Sequence, residues 1–298
     1  VNSLSGLAHR TPSSSRAVGQ MRFLRLEIAR LAIRSLYAEL ALFPKPGLVS
    51  LVDNGSHADM DASTFMRSLF ALRHYFSRIC RAGFDDARFA QLKLLGIEAE
   101  ARMLRATRGI NTHRGAIFSL GLVCAAIGRA LAQGMALTPE TVRAVLLIRW
   151  GEELAGHGVA HAGGSNGLRA ARVHGAGGAR QEAALGFPSV FELGLPALRR
   201  TLAAGRSMRH AQVDALYALM AGVADTNVLH RGGPAGALVV RSHARRFLGA
   251  GGTADPGWQE LALEGHRLFV AHRLSPGGAA DLLAASCLVH AATAGTWQ

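Results

Sequence analysis

Apolar residues recur at three- and four-residue steps along most of the chain, the spacing that lines one face of an α-helix. No stretch alternates convincingly in the period of two expected of a half-buried strand. Over 22–42 the positions Phe23, Leu24, Ile28, Leu31, Leu36 and Leu40 predict a helix that stops at Pro44 and Pro46. A second helix is predicted from Asp61 or Ser63 to Gly83, and a third from Asp85 or Asp86 to Gly109. The fourth follows Asn111 and Thr112 and reads AIFSLGLVCAAIGRAL. It is apolar nearly all the way round, which calls for protein on every side and a central position. Thr138 before Pro139 marks the start of a fifth, a capping hydroxyl followed by a residue suited to the first turn. Residues 155–188, dense in Gly, His and Arg, break the rhythm and predict a long functional loop with one or two short helical turns. Helices resume at about 188–205, 207–223, 234–249, 255–273 and 276–292, with Ser207 and Asp255 as N-caps. The expectation is an all-α fold, one catalytic domain over 21–298 of about nine or ten helices, behind a disordered tail at 1–20 rich in Ser and Arg.

A chain of 298 residues, 49% of them hydrophobic, can bury a substantial core. Its 33 Lys and Arg against 20 Asp and Glu leave a formal charge of +13, nearly all of the cation Arg. The guanidinium fork pairs with phosphate or carboxylate, so an anionic ligand is expected. The basic residues are dispersed and lack the interleaved aromatics of a base-stacking surface, which argues against a nucleic-acid partner. Cys80, Cys124 and Cys287 stand far apart in apolar stretches without CxxC spacing. They read as small core residues in a reducing, cytoplasmic compartment, not as a disulfide or zinc framework. No uncharged run reaches the ~18 residues of a membrane span, so no membrane partner is expected.

Polar groups collect at four joints between the predicted helices: PKPGLVSLVDNGSHADMD at 44–61, TRGINTHRG at 107–115, GAGGARQEAALGFP at 175–188 and DTNVLHRGG at 225–233. Helix ends expose unpaired N–H and C=O groups, so joints brought together form a natural anion or metal site. In the first, Lys45 sits between two prolines on a stiff loop, and Asp59 and Asp61 are suited to Mg2+. Asp61 is equally placed to cap the second helix. In the second, Asn111 or Thr112 alone suffices as a cap, while His113 and Arg114 fall in the first turn, where positive charge opposes the helix dipole unless an anion offsets it. The third offers Arg172, His174, Arg180 and Glu182 among glycines, without the GxxxxGK[ST] pattern of a P-loop. The fourth repeats the chemistry of the second with Asp225, Thr226, Asn227, His230 and Arg231, a solvated turn being the alternative. His57, His113, His157, His161 and His230 show no zinc spacing, and neither HExxH nor GxSxG is present.

These joints, with GIEAEARMLRATRGINTHRGAIFSLG (96–121), GGARQEAALGFPSV and SPGGAADLLA, resemble in the same order the triphosphoribosyl-dephospho-coenzyme A synthase family, from about residue 25 to 290. Arg114 stands where the family's motif has Lys, and Gln181 where it has Gly; the first change keeps the charge. The resemblance implies transfer of the triphosphoribosyl part of ATP to the ribose 2′-hydroxyl of 3′-dephospho-coenzyme A with release of adenine. The product would be the prosthetic-group precursor for an acyl carrier protein subunit, that of malonate decarboxylase before that of citrate lyase. Such a reaction passes through a cationic sugar and needs carboxylate nearby, a base for the hydroxyl and a donor for the leaving base. Lys45, Arg114, Arg180 and Arg231 are therefore expected at phosphates. Asp59, Asp61 and Asp225 are expected at Mg2+ or at the developing positive charge. Asn111, Thr112 and Asn227 are expected to orient ribose or adenine, and His57, His113 and His230 to move protons, with unperturbed pKa values near neutrality. Two rivals stay open: an all-α Mg2+-dependent ADP-ribosyl or nucleotide hydrolase, marked by adenine or ribose release without the acceptor, and a basic nucleic-acid-binding module, marked by salt-sensitive duplex binding without ATP turnover.

Overall fold

A computed structural model of the chain describes residues 14–159 and 178–295. Those residues are helical with short connections, and no strand occurs among them. The helices are α1 (Ser14–Ala41), α2 (Ala62–Leu72), α3 (Tyr75–Phe84), α4 (Phe89–Ala106), α5 (Arg114–Ala132) and α6 (Pro139–Val159). After the undescribed segment come α7 (Gly178–Ala184), a π-helical stretch (Ser189–Gly194) that runs into α8 (Leu195–Ala203), α9 (Met208–Gly222), α10 (Thr226–Gly249), α11 (Trp258–Ala271) and α12 (Gly277–Ala294).

As its pattern predicts, α5 is the central helix, with side chains from Ala116 to Ala130 buried on nearly every face. It packs most extensively on α3. Small residues permit the approach: a Cβ on Gly83 would lie 2.0 Å from the Ala125 carbonyl oxygen, and one on Gly128 2.0 Å from that of Cys80. The second core helix is α12, buried from Leu282 to Val289 and laid against α1, α5 and α9. Both α5 and α12 are long and apolar enough to cross a membrane by length and composition, but 72% and 61% of their apolar windows are buried inside the chain. All three cysteines are buried and free, and burial pushes the Cys80 and Cys287 thiols up to about 12.

Several boundaries differ from the sequence pattern. The first helix begins at Ser14 and so takes in residues 14–20, assigned above to the tail; a helix anchored by buried Leu24 and Ile28 extends at little cost per residue. The single helix expected to end at Gly83 is two, α2 and α3, interrupted at Arg73 and His74. The buried positions Thr64, Ser68, Leu69, Leu72, Phe76, Ile79 and Cys80 keep helical spacing straight through that break, so the pattern conceals it. Thr138 and Ser207 cap α6 and α9 as predicted, accepting from the backbone N–H of Thr141 and His210. Residues 226–233, treated above as a joint, form the first turns of α10, which bends at Gly233 (φ 58°) before Pro234. Of the functional loop, Gly178–Ala184 is a helix; Arg172, His174 and His161, and the side chain of His157, lie outside the described residues.

Candidate active site

The four joints converge. One cavity of about 1610 Å3 is lined by His57 and Asp59 from the first, Asn111 to Gly115 from the second, Arg180 to Glu182 from the third, and Asp225 to Asn227 with His230 and Arg231 from the fourth. A pocket for a single drug-sized ligand encloses ~300–1,000 Å3. The N-termini of α5, α7, α10 and α12 all border the space, so partial positive charge from four helix ends falls on it.

The second joint is shaped by its neighbours. The N–H groups of Thr112 and His113 donate to Met103 Sδ at 3.4 and 3.3 Å, and Asn111 Oδ1 accepts from the N–H of Arg114. His113 is buried, shares a 2.6 Å hydrogen bond between Nδ1 and Ser68 Oγ, and meets the ring of Phe65 edge-on. Its Nε2 has no partner, nor do Thr112 Oγ1 and Ser119 Oγ; all three buried atoms belong to cavity-lining residues. Orphaned buried polar atoms are costly, and at a cavity wall they are what a bound ligand satisfies. Burial, then the charge of Lys45, pushes His113 down to about 3, so it is neutral at physiological pH and does not titrate near neutrality as expected. Arg114 lines the cavity and is held by Glu100, with Nε 2.7 Å from Oε1.

On the opposite wall Arg231 donates to His57 Nδ1 at 2.9 Å and to the carbonyl of Ser56. Because Nδ1 accepts from an always-protonated guanidinium, neutral His57 carries its proton on Nε2 and donates it to Ser275 Oγ, 2.9 Å away. Burial and then Arg231 lower the His57 pKa, against the pull of Asp59, whose Oδ1 lies 3.5 Å from Nδ1. Asn227 and His230 are exposed on the first turns of α10. Glu182 is committed to the chain, accepting from Ser189 Oγ and N–H at 2.6 and 3.2 Å.

Two expectations are corrected here. Lys45 does not reach into the cavity: it is 1% exposed and bonds Glu39 through Oε1 at 2.6 Å and the carbonyl at 2.7 Å, because the proline-bounded loop folds back under α1. The Mg2+ carboxylates Asp59, Asp61 and Asp225 do not form a set, and no group of three or more potential ligands occurs among the described residues. Asp61 caps α2, accepting from Thr64 N–H, Thr64 Oγ1 and Ser63 Oγ, which holds it down to about 2, and it does not line the cavity. Asp225 is buried between two helix ends. Its Oδ1 accepts from Asn227 and Val228, its Oδ2 from Ala279, with Gly278 N–H adding a fourth bond, so its lone pairs are taken. Burial nonetheless raises its pKa. These three residues do not fit a Mg2+ site built by the chain.

Sequence reasoning missed Glu39, Ser275 and Asp281, all of which line the cavity. For Asp281 a signal exists: it is the only acid in the otherwise apolar α12, and a charge on a core helix calls for a reason. Glu39 in the last turns of α1 carries a weaker form of the same signal.

An all-α fold whose cavity is ringed by arginines and helix N-termini, with acids on the facing wall, is built to take an anionic ligand, and comparison with known proteins makes the chain a group-transfer enzyme. It belongs to the ATP:dephospho-CoA triphosphoribosyl transferase (CitG) family, whose profile matches residues 25–298. The chain is 39% identical over 281 residues, 90% of each sequence, to the 2-(5″-triphosphoribosyl)-3′-dephosphocoenzyme-A synthase of Pectobacterium atrosepticum. It is 38% identical over 260 residues to a protein of Acinetobacter calcoaceticus and 42% identical over 268 residues to one of Pseudomonas aeruginosa, both described as probable synthases of the same name. The first alignment covers 87% of this chain and 88% of its relative, the second 88% of each. No solved structure matches.

Proposed function

We propose that the chain moves the triphosphoribosyl group of ATP onto the ribose 2′-hydroxyl of 3′-dephospho-coenzyme A and releases adenine. The observation that carries this reading is the polarity of the cavity. Arg114, Arg180 and Arg231 border it, while Glu39, Asp225 and Asp281 line it beside Lys45. A triphosphate is attracted to the first group and a cationic ribosyl transition state to the second. The volume accommodates a second substrate beside ATP. Thr112 Oγ1 and His113 Nε2 supply unpaired polar atoms for ribose or base, and the hydroxyl proton of Ser275, left unused by His57, is available to an acceptor oxygen. Mg2+ accompanies the triphosphate in this reading and is held chiefly by phosphate oxygens, since Asp61 and Asp225 are committed as caps and leave only Asp59 of the three at the cavity wall.

The product is assigned to the acyl carrier protein subunit of malonate decarboxylase, since this chain with DTNVLHRGG looks more like that version of the synthase than the citrate lyase one. Incubation with ATP, Mg2+ and 3′-dephospho-coenzyme A should give, by mass spectrometry, a species equal to both substrates less adenine. Adenine or ribose release that is indifferent to the acceptor would make the chain a hydrolase. Deletion of the gene should abolish malonate decarboxylation and spare citrate cleavage; the reverse pattern reassigns the product.

A further inference from the structure

Leaving adenine needs a proton, and among the described residues the cavity offers few groups able to give one. His57 spends its Nε2 proton on Ser275, His113 is too weak a base to hold a second proton, and His230 is exposed on the first turns of α10. Of the three carboxylates that act on one another at the cavity wall, Glu39 and Asp225 are buried, the first paired with Lys45 at 2.6 Å and the second accepting from two helix N-termini. Asp281, in the second turn of α12, is the third. It lines the cavity, and the backbone N–H of Ala116 in the first turn of α5 donates to its carboxyl. Room for its carboxyl exists because residue 115 lacks a side chain: a Cβ on Gly115 would lie 2.0 Å from Asp281 Oδ2. The charged groups acting on it from the packed elements are Glu39 of α1, backed by Lys45, and Asp225 at the head of α10. Burial, then Glu39 and Asp225, hold its carboxyl well above the usual carboxylate range, the condition for an acid that keeps its proton near neutral pH.

We propose that Asp281 is the acid that protonates adenine as it leaves, an assignment that rests on the transfer reaction given above. The C1′–N9 bond breaks with its electron pair going to adenine, which takes the Asp281 proton. The 2′-oxygen of the acceptor forms the new C1′–O bond. Its proton passes to water in the cavity, and water returns one to Asp281 once adenine has gone. The ionised carboxylate meanwhile faces the cationic sugar, so one residue serves both demands of the step.

The test is single-turnover adenine release by the unaltered chain, Asp281→Asn and Asp281→Glu across pH, with calorimetric binding of ATP and of 3′-dephospho-coenzyme A. Asp281→Asn should bind both substrates and keep its helical circular dichroism while releasing adenine about 10²–10⁴-fold more slowly. Asp281→Glu should recover part of the rate. The unaltered chain should slow as pH rises through the Asp281 pKa, a limb missing from the residual rate of Asp281→Asn. Release by Asp281→Asn within about threefold of the unaltered rate, or persistence of that limb in it, overturns the proposal. If Asp281→Asn does not fold, the profile of the unaltered chain decides: a rate that shows no descending limb anywhere between acid and alkaline pH overturns it. No adenine from the unaltered chain with both substrates present is a different result, and it overturns the transfer reaction itself.

Discussion

Lys45 shows how far a residue's type and neighbours carry. Its position between Pro44 and Pro46 suggests a cation held out to an anion, yet the ammonium is buried against Glu39 and burial lowers its pKa against the pull of that carboxylate. Its work is to pair with Glu39, the buried acid whose charge acts on Asp281. Removing one member of a buried pair strands the other without water, at a cost of ~3–5 kcal/mol, whereas removing both is often close to neutral. Lys45→Met should therefore lower the thermal midpoint sharply, and adding Glu39→Gln should restore most of it. A single mutant that melts like the unaltered chain would show that Glu39 finds another partner. Asp225 offers the complementary lesson. Its type and place before Thr226 suggest metal or transition-state charge, and its geometry assigns all its lone pairs to backbone N–H groups of α10 and α12.

Elements were legible where a single helix decides its own fate. The all-round apolarity of α5, the Thr138 cap and the Ser207 cap are local facts, and each appears in the fold as read. The break between α2 and α3 and the extension of α10 back to Thr226 were not legible, because apolar spacing ignores a one-turn interruption and a capping Asp reads alike in a turn or before a helix. The start of α5 links element to chemistry. Glycine inside a helix ordinarily costs about 0.5–1 kcal/mol relative to alanine, so Gly115→Ala would be expected to stabilise α5. Here the added methyl would meet Asp281 Oδ2 at 2.0 Å. Gly115→Ala should consequently impair adenine release by displacing that carboxyl, while helicity is retained. Unimpaired release would mean the carboxyl relocates freely and that its placement against α5 is unimportant.

At the scale of the molecule, the cavity is made by four joints separated by tens of residues, and its wall is divided by charge. Arg114 stands where arginine recognition of phosphate is expected, though Glu100 already holds its Nε. A charge-assisted hydrogen bond contributes ~1.5–3 kcal/mol, so Arg114→Gln should raise the KM for ATP about tenfold, with a smaller penalty at high salt. Steady-state kinetics at two ionic strengths would show this. A KM unchanged by the substitution places the triphosphate against Arg180 and Arg231 instead. The net charge of +13 says little of this division, because most arginines are dispersed and several, such as Arg78 with Glu98 and Arg246 with Glu264, are spent on surface ion pairs.

By itself the sequence determined the helical class, most helix starts, the centrality of α5 and the identity of the polar joints, because each depends on spacing within one element or on a short motif. Only the tertiary structure decided which of those polar groups face one cavity and that Asp281 joins Glu39 and Asp225. Those outcomes depend on helix ends meeting across more than 200 residues of chain, as Ser275 meets His57. A carboxylate's pKa and partners are properties of that meeting, and no local pattern carries them.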